Sequence, residues 1–513
     1  MARPRLMRGF VTVGGWTLAS RVLGFVRDVL IAATLGAGPV AEAFLIAFSL
    51  PNMFRRFFAE GTLNPAFVPM FSRKLETGEG AQEFARDAFS GLGFFLILFT
   101  LVAQLAMPLL VLAMASGFVE DGRFELTVLY GRIAFPYILF IALAALLSGV
   151  LNATGRFTAA AAAPVLLNVL FIGSITVADR LGRDVGLVLI WTVPVAGLAQ
   201  MGLVWVAAAR AGFVLLPRWP RLTPELRRLA AVAAPAALAG GVVQVNLLIG
   251  RQVASFFDGA IAWLSYADRL YQLPLGVVGI AIGVVLLPDL TRRLAAGDAT
   301  GGREVLSRAG EMALALTIPS AVALIVVPMQ LVSVLFQRGA FSADDSAHTA
   351  IAVAVYGMGL PAFVLQKVLQ PVYFAREDTR TPFRFALVAL LVNAVLAIGL
   401  AFFVGYIAAA IATSVAGWAM TGLLWRGARR MGEEARFDRR FWSRAGRIVM
   451  ASGLMGAVML AVTGALGPMF AAGGLRYLAL AILVGVGMVS YFAIGQAIGA
   501  FRLSEFRAAM RRG

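Results

Sequence analysis

Residues 20–36 read SRVLGFVRDVLIAATLG, residues 41–61 read AEAFLIAFSLPNMFRRFFAEG, and residues 62–69 read TLNPAFVP. Apart from its charges, this stretch is as apolar as a pair of membrane-spanning helices. Each charge buried in a membrane helix costs roughly 2.5–3.5 kcal/mol on insertion scales, so charges retained there indicate a function. The charged positions are Arg21, Arg27, Asp28, Glu42, Arg55, Arg56 and Glu60.

The composition of the whole chain agrees with a membrane location. Of its 513 residues, 60% are hydrophobic and 14% are charged, whereas a soluble domain has about 45–50% apolar and about 25% charged residues. Mean hydropathy is +0.86. About 14 stretches of roughly 20 apolar residues or more are each long enough to cross a bilayer core of about 30 Å. The sequence therefore predicts an all-α polytopic membrane protein with about 14 transmembrane helices.

Several function classes are excluded by the reactive residues that the chain lacks. It has no cysteine and a single histidine, His348, so neither a thiolate site nor a histidine cluster for a metal can form. Enzyme chemistry that depends on such sites is excluded, and we expect no metal and no cofactor. The repeated halves described below indicate a transporter and not an enzyme.

The net charge of +17 fits arginine-rich cytoplasmic loops better than a nucleic acid partner. With the basic N-terminus inside and an even number of spans, both termini are predicted to be cytoplasmic. The same rule places Arg221 and Arg292 inside and Arg123 outside.

Two segments from the first half of the chain have similar counterparts in the second half. PMFSRKLETGE (69–79) matches PDLTRRLAAGD (288–298), and VAGLAQMGLVW (195–205) matches VAGWAMTGLLW (415–425), at an offset of about 220 residues. Repeats that start on the same side of the membrane are related by an axis along its normal. The predicted domains are two pseudo-symmetric six-helix lobes, 1–215 and 216–432, followed by two additional helices in 433–513.

The intramembrane charges of the two lobes do not balance. Six arginines, namely Arg21, Arg27, Arg55, Arg56, Arg251 and Arg269, stand against Asp28, Glu42, Glu60 and Asp268. Since the guanidinium fork suits phosphate oxygens, the excess predicts an anionic ligand bound between the lobes near mid-membrane. The alternative is a set of structural ion pairs. On an ideal helix Arg21 lies within about 20° of Asp28, whereas Arg27 points about 100° away from it.

Five motifs together carry a family resemblance. They are SRVLGFVRD (20–28), LPNMFRRFFAEGTLNPAFVP (50–69), LNATGRF (151–157), YADRLYQLPLGVVGIAIGVVLLPDL (266–290) and EDTRTP (377–382). Over nearly the whole chain, the sequence resembles the MurJ (MviN) lipid II flippases of the multidrug/oligosaccharidyl-lipid/polysaccharide exporter superfamily. The resemblance implies a fourteen-helix protein of the bacterial cytoplasmic (inner) membrane. Such a protein moves lipid II, the undecaprenyl-pyrophosphate-linked peptidoglycan precursor, from the inner to the outer leaflet.

The resemblance also implies site residues. Arg21, Arg27, Arg55 and Arg269 match arginines of a cationic cavity that binds the pyrophosphate headgroup, and their charge partners are predicted at Asp28, Glu42 and Asp268. Ser20, Arg56 and Arg251 are additional candidates. The two helices of 433–513 are expected to form a groove for the lipid tail. Expected partners are lipid II, membrane lipids and the cell-wall synthesis machinery.

The sequence also bears on alternative functions and on the driving force of transport. A cation-coupled multidrug exporter, or an exporter of another polyprenyl-linked oligosaccharide, has the same architecture, but a pocket for cationic drugs should be acidic and aromatic. A scaffold that recruits synthases would not require intramembrane arginines in both lobes. The predicted span near 226–257 offers Gly250 and no acid, so sodium coupling is not predicted. Membrane potential, worth about 2.3 kcal/mol per charge per 100 mV, is the favoured driving force.

Overall fold

A computed structural model describes residues 3–55 and 64–501, with the side chains at 3–11, 64–65, 234–243 and 277–285 excepted. Every regular element in these residues is helical. The chain divides into two compact units, and each is described separately. Unit 1 comprises residues 1–262 with 338–341, and unit 2 comprises residues 263–337 with 342–513.

Among the described residues, unit 1 contains the first ten α-helices. These are α1 Arg3–Leu35, α2 Pro39–Arg55, α3 Asn64–Thr77, α4 Ala81–Leu105, α5 Met107–Ala115, α6 Arg123–Ala134, α7 Tyr137–Ala153, α8 Thr158–Arg180, α9 Val185–Arg210 and α10 Pro224–Ala254. Local sequence explains several of the helix ends. Gly36 has a positive φ of 63°, which a residue without Cβ adopts readily, and it ends α1. Asp184 and Thr223 accept hydrogen bonds from backbone N–H groups of the first turns of α9 and α10.

The remaining nine helices of the described chain follow. They are α11 Ala260–Ala295, α12 Ala299–Val326, α13 Pro328–Phe336, α14 Ala343–Phe374, α15 Arg380–Val404, α16 Ile407–Ala428, α17 Arg439–Ala465, α18 Gly467–Ala471 and α19 Arg476–Ala497. Apart from its first residues, α11 lies in unit 2, as do all the later helices. Ser342 and Asp345 form a reciprocal capping box at the start of α14.

The membrane-protein prediction is confirmed, although the count of 14 remains approximate. Among the described residues, ten helical stretches are long and apolar enough to cross a membrane: α4, α6 with α7, α8, α9, α12, α14, α15, α16, the stretch ending in α17, and α19. The other four predicted spans correspond to α1, α2, α10 and α11. All four carry charged residues that we predicted for the site.

The start of α11 and the end of α10 pack within unit 1. Gln252 accepts a hydrogen bond from the backbone N–H of Ser116 at 3.1 Å, and Ser255 accepts one from that of Gly117 at 3.0 Å. The compact unit therefore ends at residue 262, beyond the predicted lobe boundary at 215/216. That boundary follows from the sequence repeat and not from packing, and it stays a prediction.

The two C-terminal helices of the prediction belong to unit 2 and pack against α12. The carboxylate of Glu311 on α12 pairs with Arg444 of α17 at 3.1 Å and with Arg308 on its own helix. Tyr491 of α19 donates its hydroxyl hydrogen bond to the carbonyl of Ala315 at 2.7 Å. These contacts join α17 and α19 to α12.

Candidate functional site

The first candidate residues lie on α1, where Arg27 and Asp28 form a buried ion pair. Arg27 donates from Nε and Nη2 to Asp28 Oδ1 at 3.0 and 2.8 Å, and the two residues are only 6% and 7% exposed. The expectation that Arg27 points away from Asp28 is therefore wrong. The long arginine side chain curls back across the 100° that separates neighbouring residues of a helix, because a buried carboxylate needs a donor.

Arg27 is fixed by helix α8 as well. Its Nη1 donates to Asn168 Oδ1 at 3.0 Å, and Asn168 in turn donates from Nδ2 to the carbonyl of Ser20 at 2.9 Å. The guanidinium carbon lies 6.0 Å from the ring centre of Phe48 and 5.6 Å from that of Phe171. Phe171 belongs to a hydrophobic core cluster, and Phe48 packs against that cluster. Charge, hydrogen bonding and ring contacts together hold this arginine in one orientation.

The other candidates of unit 1 are placed differently. Arg21 is exposed and Ser20 is half-buried. Arg55 lines a cavity of about 390 Å³ within unit 1, together with Ser148, Asn152 and Gln200. Arg251 is half-buried at the end of α10, and Arg56 lies outside the described residues.

Glu42 on α2 is paired with an arginine that sequence reasoning did not assign to the site. Its Oε2 lies 2.8 Å from Nη1 of Arg123, and both side chains are buried, at 1% and 7% exposure. Arg123 also contacts Asp121 at 2.6 Å and Asp258 at 2.9 Å. Its guanidinium carbon lies 4.4 Å from the ring centre of Phe118. We call Arg123 and these three carboxylates the Arg123 node.

The node connects parts of unit 1 that are distant in sequence. Glu42 comes from α2, Arg123 from the start of α6, and Asp258 from the turn between α10 and α11. The second oxygen of Glu42 accepts the backbone N–H of Ile261 at 3.1 Å. Among the described residues, the cation that pairs with Glu42 is therefore Arg123 and not an arginine of α1.

In unit 2 the candidates lie next to each other on α11. Arg269 is exposed, and Asp268 is half-buried. Gln272, one turn further along the helix, donates a hydrogen bond from Nε2 to Asp268 Oδ2. The aromatic ring of Tyr271 packs between those of Tyr356 and Phe363, with ring centres 5.7 and 5.8 Å away.

Sequence reasoning missed Asn168 and Arg123 for different reasons. Asn168 is a single amide in an apolar helix, and an intramembrane polar residue of this kind is itself a signal of interhelical bonding. Arg123 stands in the charged loop sequence VEDGRFE (119–125), and nothing in that stretch distinguishes a buried arginine from a solvated one.

Comparison with known proteins gives consistent similarities over the chain. The family model described as lipid II flippase MurJ matches residues 31–484. A "Probable lipid II flippase MurJ" of Rhizobium meliloti (strain 1021) is 44% identical over 525 residues, covering 99% of this chain and 97% of the relative. A protein of the same name from Rhizobium tropici is 41% identical, with coverage of 99% and 97%.

A solved structure of a lipid II flippase MurJ in an inward closed conformation has a similar fold. The TM-score is 0.79 at 24% sequence identity, over 95% of this chain and 98% of that chain. The similarity in fold thus extends across the helices of both units.

Proposed function

The chain belongs to the lipid II flippase MurJ family, and from this premise we propose that it carries lipid II from the inner to the outer leaflet of the bacterial cytoplasmic membrane by alternating access. The protein is a transporter and not an enzyme, so no bond is made or broken. Its residues bind the headgroup, release it on the other side and exclude other lipids.

The charge distribution along α1 is the observation that carries this proposal. Two arginines, Arg21 and Arg27, stand against one carboxylate, Asp28, and the neighbouring acid Glu42 is held by Arg123. From Ser20 to Leu35, α1 therefore carries one positive charge more than it has carboxylates. In a membrane protein such an excess is expensive unless an anion meets it during the transport cycle.

The arginines have separate roles in our proposal. Arg21 is exposed and makes the first contact with the pyrophosphate. Arg27 is held in place by Asp28 and Asn168 and supplies a fixed charge, which spares the entropy of ordering a flexible side chain on binding. Arg55 and Arg269 complete the set, and Ser20, Arg56, Arg251 and Asp268 are further candidates. Neutralisation of the headgroup then lowers the barrier to closing the low-dielectric path around it.

We propose that the helices in residues 433–513 accommodate the lipid tail. On α17 and α19 large apolar side chains are exposed, including Leu454, Leu460, Met488 and Val489. Each CH₂ group that leaves water for an apolar surface contributes about 0.8 kcal/mol, so a long polyprenyl chain is held mainly by such contacts.

The driving force in this proposal is the membrane potential, because a net charge that moves with the ligand responds to it at about 2.3 kcal/mol per 100 mV. Sodium coupling is not part of the proposal. Cell-wall synthesis proteins that consume lipid II outside the membrane are the expected partners.

The test is the accessibility of lipid II on the outer face of cells depleted of this protein. We expect externally accessible lipid II to disappear on depletion and to return when the wild-type chain is supplied. Unchanged accessibility together with altered drug resistance would instead favour the multidrug exporter. Loss of a different polyprenyl-linked sugar from the outer face would favour an exporter of another polyprenyl-linked oligosaccharide.

The proposed orientation, with both termini in the cytoplasm, can be tested with single cysteines because the chain has none of its own. Suitable positions are exposed: Arg221 and Arg292 for the inside, Glu120 and Arg183 for the outside. An impermeant thiol reagent added to intact cells should label only positions 120 and 183. Labelling of position 221 under these conditions would contradict the orientation.

A further inference from the structure

Unit 1 has another cavity, and none of the candidate residues that the structure describes lines it. It is a groove of about 560 Å³ between α4, α7, α9 and the segment 211–223 that follows α9. Phe94, Phe140, Trp205 and Trp219 contribute aromatic surface to it. This volume lies in the range of small-molecule and lipid-sized sites, about 300–1,000 Å³. We call it the Trp219 groove.

One wall of the groove is a connecting segment that polar contacts hold in place. Arg218 donates from its backbone N–H to Ser90 at 3.0 Å, and its side chain pairs with Asp87, which is buried. Arg86 donates from Nε to the carbonyl of Leu216 at 2.9 Å. These contacts attach the segment to α4 and leave the indole of Trp219 83% exposed beside Phe94.

The charges beside the groove favour an anion. Asp87 balances the charge of Arg218, whereas Arg86 donates to a backbone carbonyl and Arg221, directly after the lining residue Pro220, is exposed. Two guanidinium charges thus flank an apolar groove. The arginine distribution predicts that this segment lies at the cytoplasmic surface, where anionic lipids concentrate, and an exposed tryptophan is typical of that depth.

We propose that the Trp219 groove binds an anionic phospholipid of the cytoplasmic leaflet. An acyl chain lies between α4, α7 and α9, and the phosphate meets Arg86 and Arg221. Trp219 covers the glycerol region at the level of the membrane interface. This lipid is a resident of the protein surface and not the transported molecule, so the site goes beyond the proposed function.

The experiment uses the full-length protein in phosphatidylcholine nanodiscs that contain a small fraction of phosphatidylglycerol with a photoreactive acyl chain. A phosphatidylcholine probe with the same chain is the comparison. Labelled peptides are mapped by mass spectrometry, and labelling near Phe94 and Trp219 is divided by labelling near Phe402 and Phe403. Those two side chains are 85% and 84% exposed on α15 and report on bulk lipid.

We expect the ratio of groove labelling to bulk-lipid labelling to be higher for the phosphatidylglycerol probe than for the phosphatidylcholine probe. Arg86→Gln and Arg221→Gln should each reduce the preference roughly five-fold, as expected for one basic residue at an anionic surface. Arg439→Gln, on another exposed arginine, should not change it. Equal ratios for the two probes in the wild-type protein would overturn the proposal, because bulk lipid would then explain the labelling.

A second variant fills the groove itself. A Cβ atom added at Gly202, which lines the groove, meets no atom within 4 Å, and the same holds for Gly453 on α17. Gly202→Phe should therefore fold, as checked by thermal unfolding, and should remove most groove labelling, while Gly453→Phe should not. Undiminished labelling in folded Gly202→Phe would contradict the site. Efficient labelling of the groove by a photoreactive polyprenyl pyrophosphate, with no preference for phosphatidylglycerol, would assign it to the transported lipid instead.

Discussion

Two arginines of unit 1, Arg27 and Arg123, are buried to a similar extent but have different charged neighbours. Arg27 is 6% and Arg123 is 7% exposed. Arg123 meets three carboxylates, whereas Arg27 meets one carboxylate and one neutral amide. The Arg123 node has more negative than positive charge and needs no further anion. In our proposal, the number of carboxylates around an arginine, and not its burial, separates a structural cation from one that serves an anionic ligand.

The largest effect should come from breaking the Arg123 node. Arg123→Ala leaves the carboxylate of Glu42, 1% exposed, without its cation, and removing one partner of a buried pair typically costs about 3–5 kcal/mol. We expect a marked fall in the thermal stability of the purified protein. Glu42→Ala should cost less, because Arg123 retains Asp121 and Asp258. Glu42→Asp keeps the charge and should be tolerated.

The control for this prediction is Arg439→Gln, which changes an exposed arginine. If Arg123→Ala unfolded at the wild-type temperature, the Arg123 node would not be structural. The contrast between a structural Arg123 and a ligand-binding Arg27 would then fail. If Glu42→Ala also complemented a depleted strain fully at normal expression, the predicted role of this acid would be withdrawn.

A smaller effect should follow from converting the Arg27 environment into one that resembles the node. Asn168→Asp places a second carboxylate on Arg27 and offsets the one excess positive charge that α1 carries between Ser20 and Leu35. Since hydrogen bonds to charged groups are worth about 1.5–3 kcal/mol, lipid II should bind roughly ten-fold more weakly. Asn168→Ala, which adds no charge, is the matched variant and should weaken binding less. Equal affinities for lipid II in these two variants would argue against an electrostatic role.

The smallest effect concerns Asp121, the part of the node in the loop before α6. The hydrogen bond from Arg123 holds the pKa of Asp121 below its ordinary value. A lowered pKa means that the carboxylate stabilises the fold above its unfolded-state pKa of about 3.9, and that this contribution is lost as the pH falls through the lowered value. Its side chain is 41% exposed, so the contribution is at most about 1 kcal/mol.

Asp121→Asn should therefore flatten the decrease in melting temperature between about pH 5 and pH 3, relative to the wild-type protein. Stability at neutral pH should fall only slightly. A steeper acid dependence in Asp121→Asn than in the wild type would show that this carboxylate does not contribute in the stated direction.

The helices were predictable because they depend on a local signal, the length of each apolar stretch. The two arginine environments were not. An ideal helix keeps neighbouring residues about 100° apart, which describes Cβ directions and not where a long side chain ends, so the Arg27 pair was missed. The pairing of Glu42 with Arg123 joins positions 81 residues apart, and charge counting cannot decide which cation meets which acid.

The most direct test of the central claim is the affinity of purified protein for lipid II when exposed arginines are removed. Arg21→Ala and Arg269→Ala change exposed side chains, so both should fold normally by thermal unfolding. We predict that each weakens binding roughly ten-fold to a hundred-fold, that the corresponding lysine variants are intermediate, and that Arg439→Gln binds like the wild type. Wild-type affinity in both folded alanine variants would contradict the account.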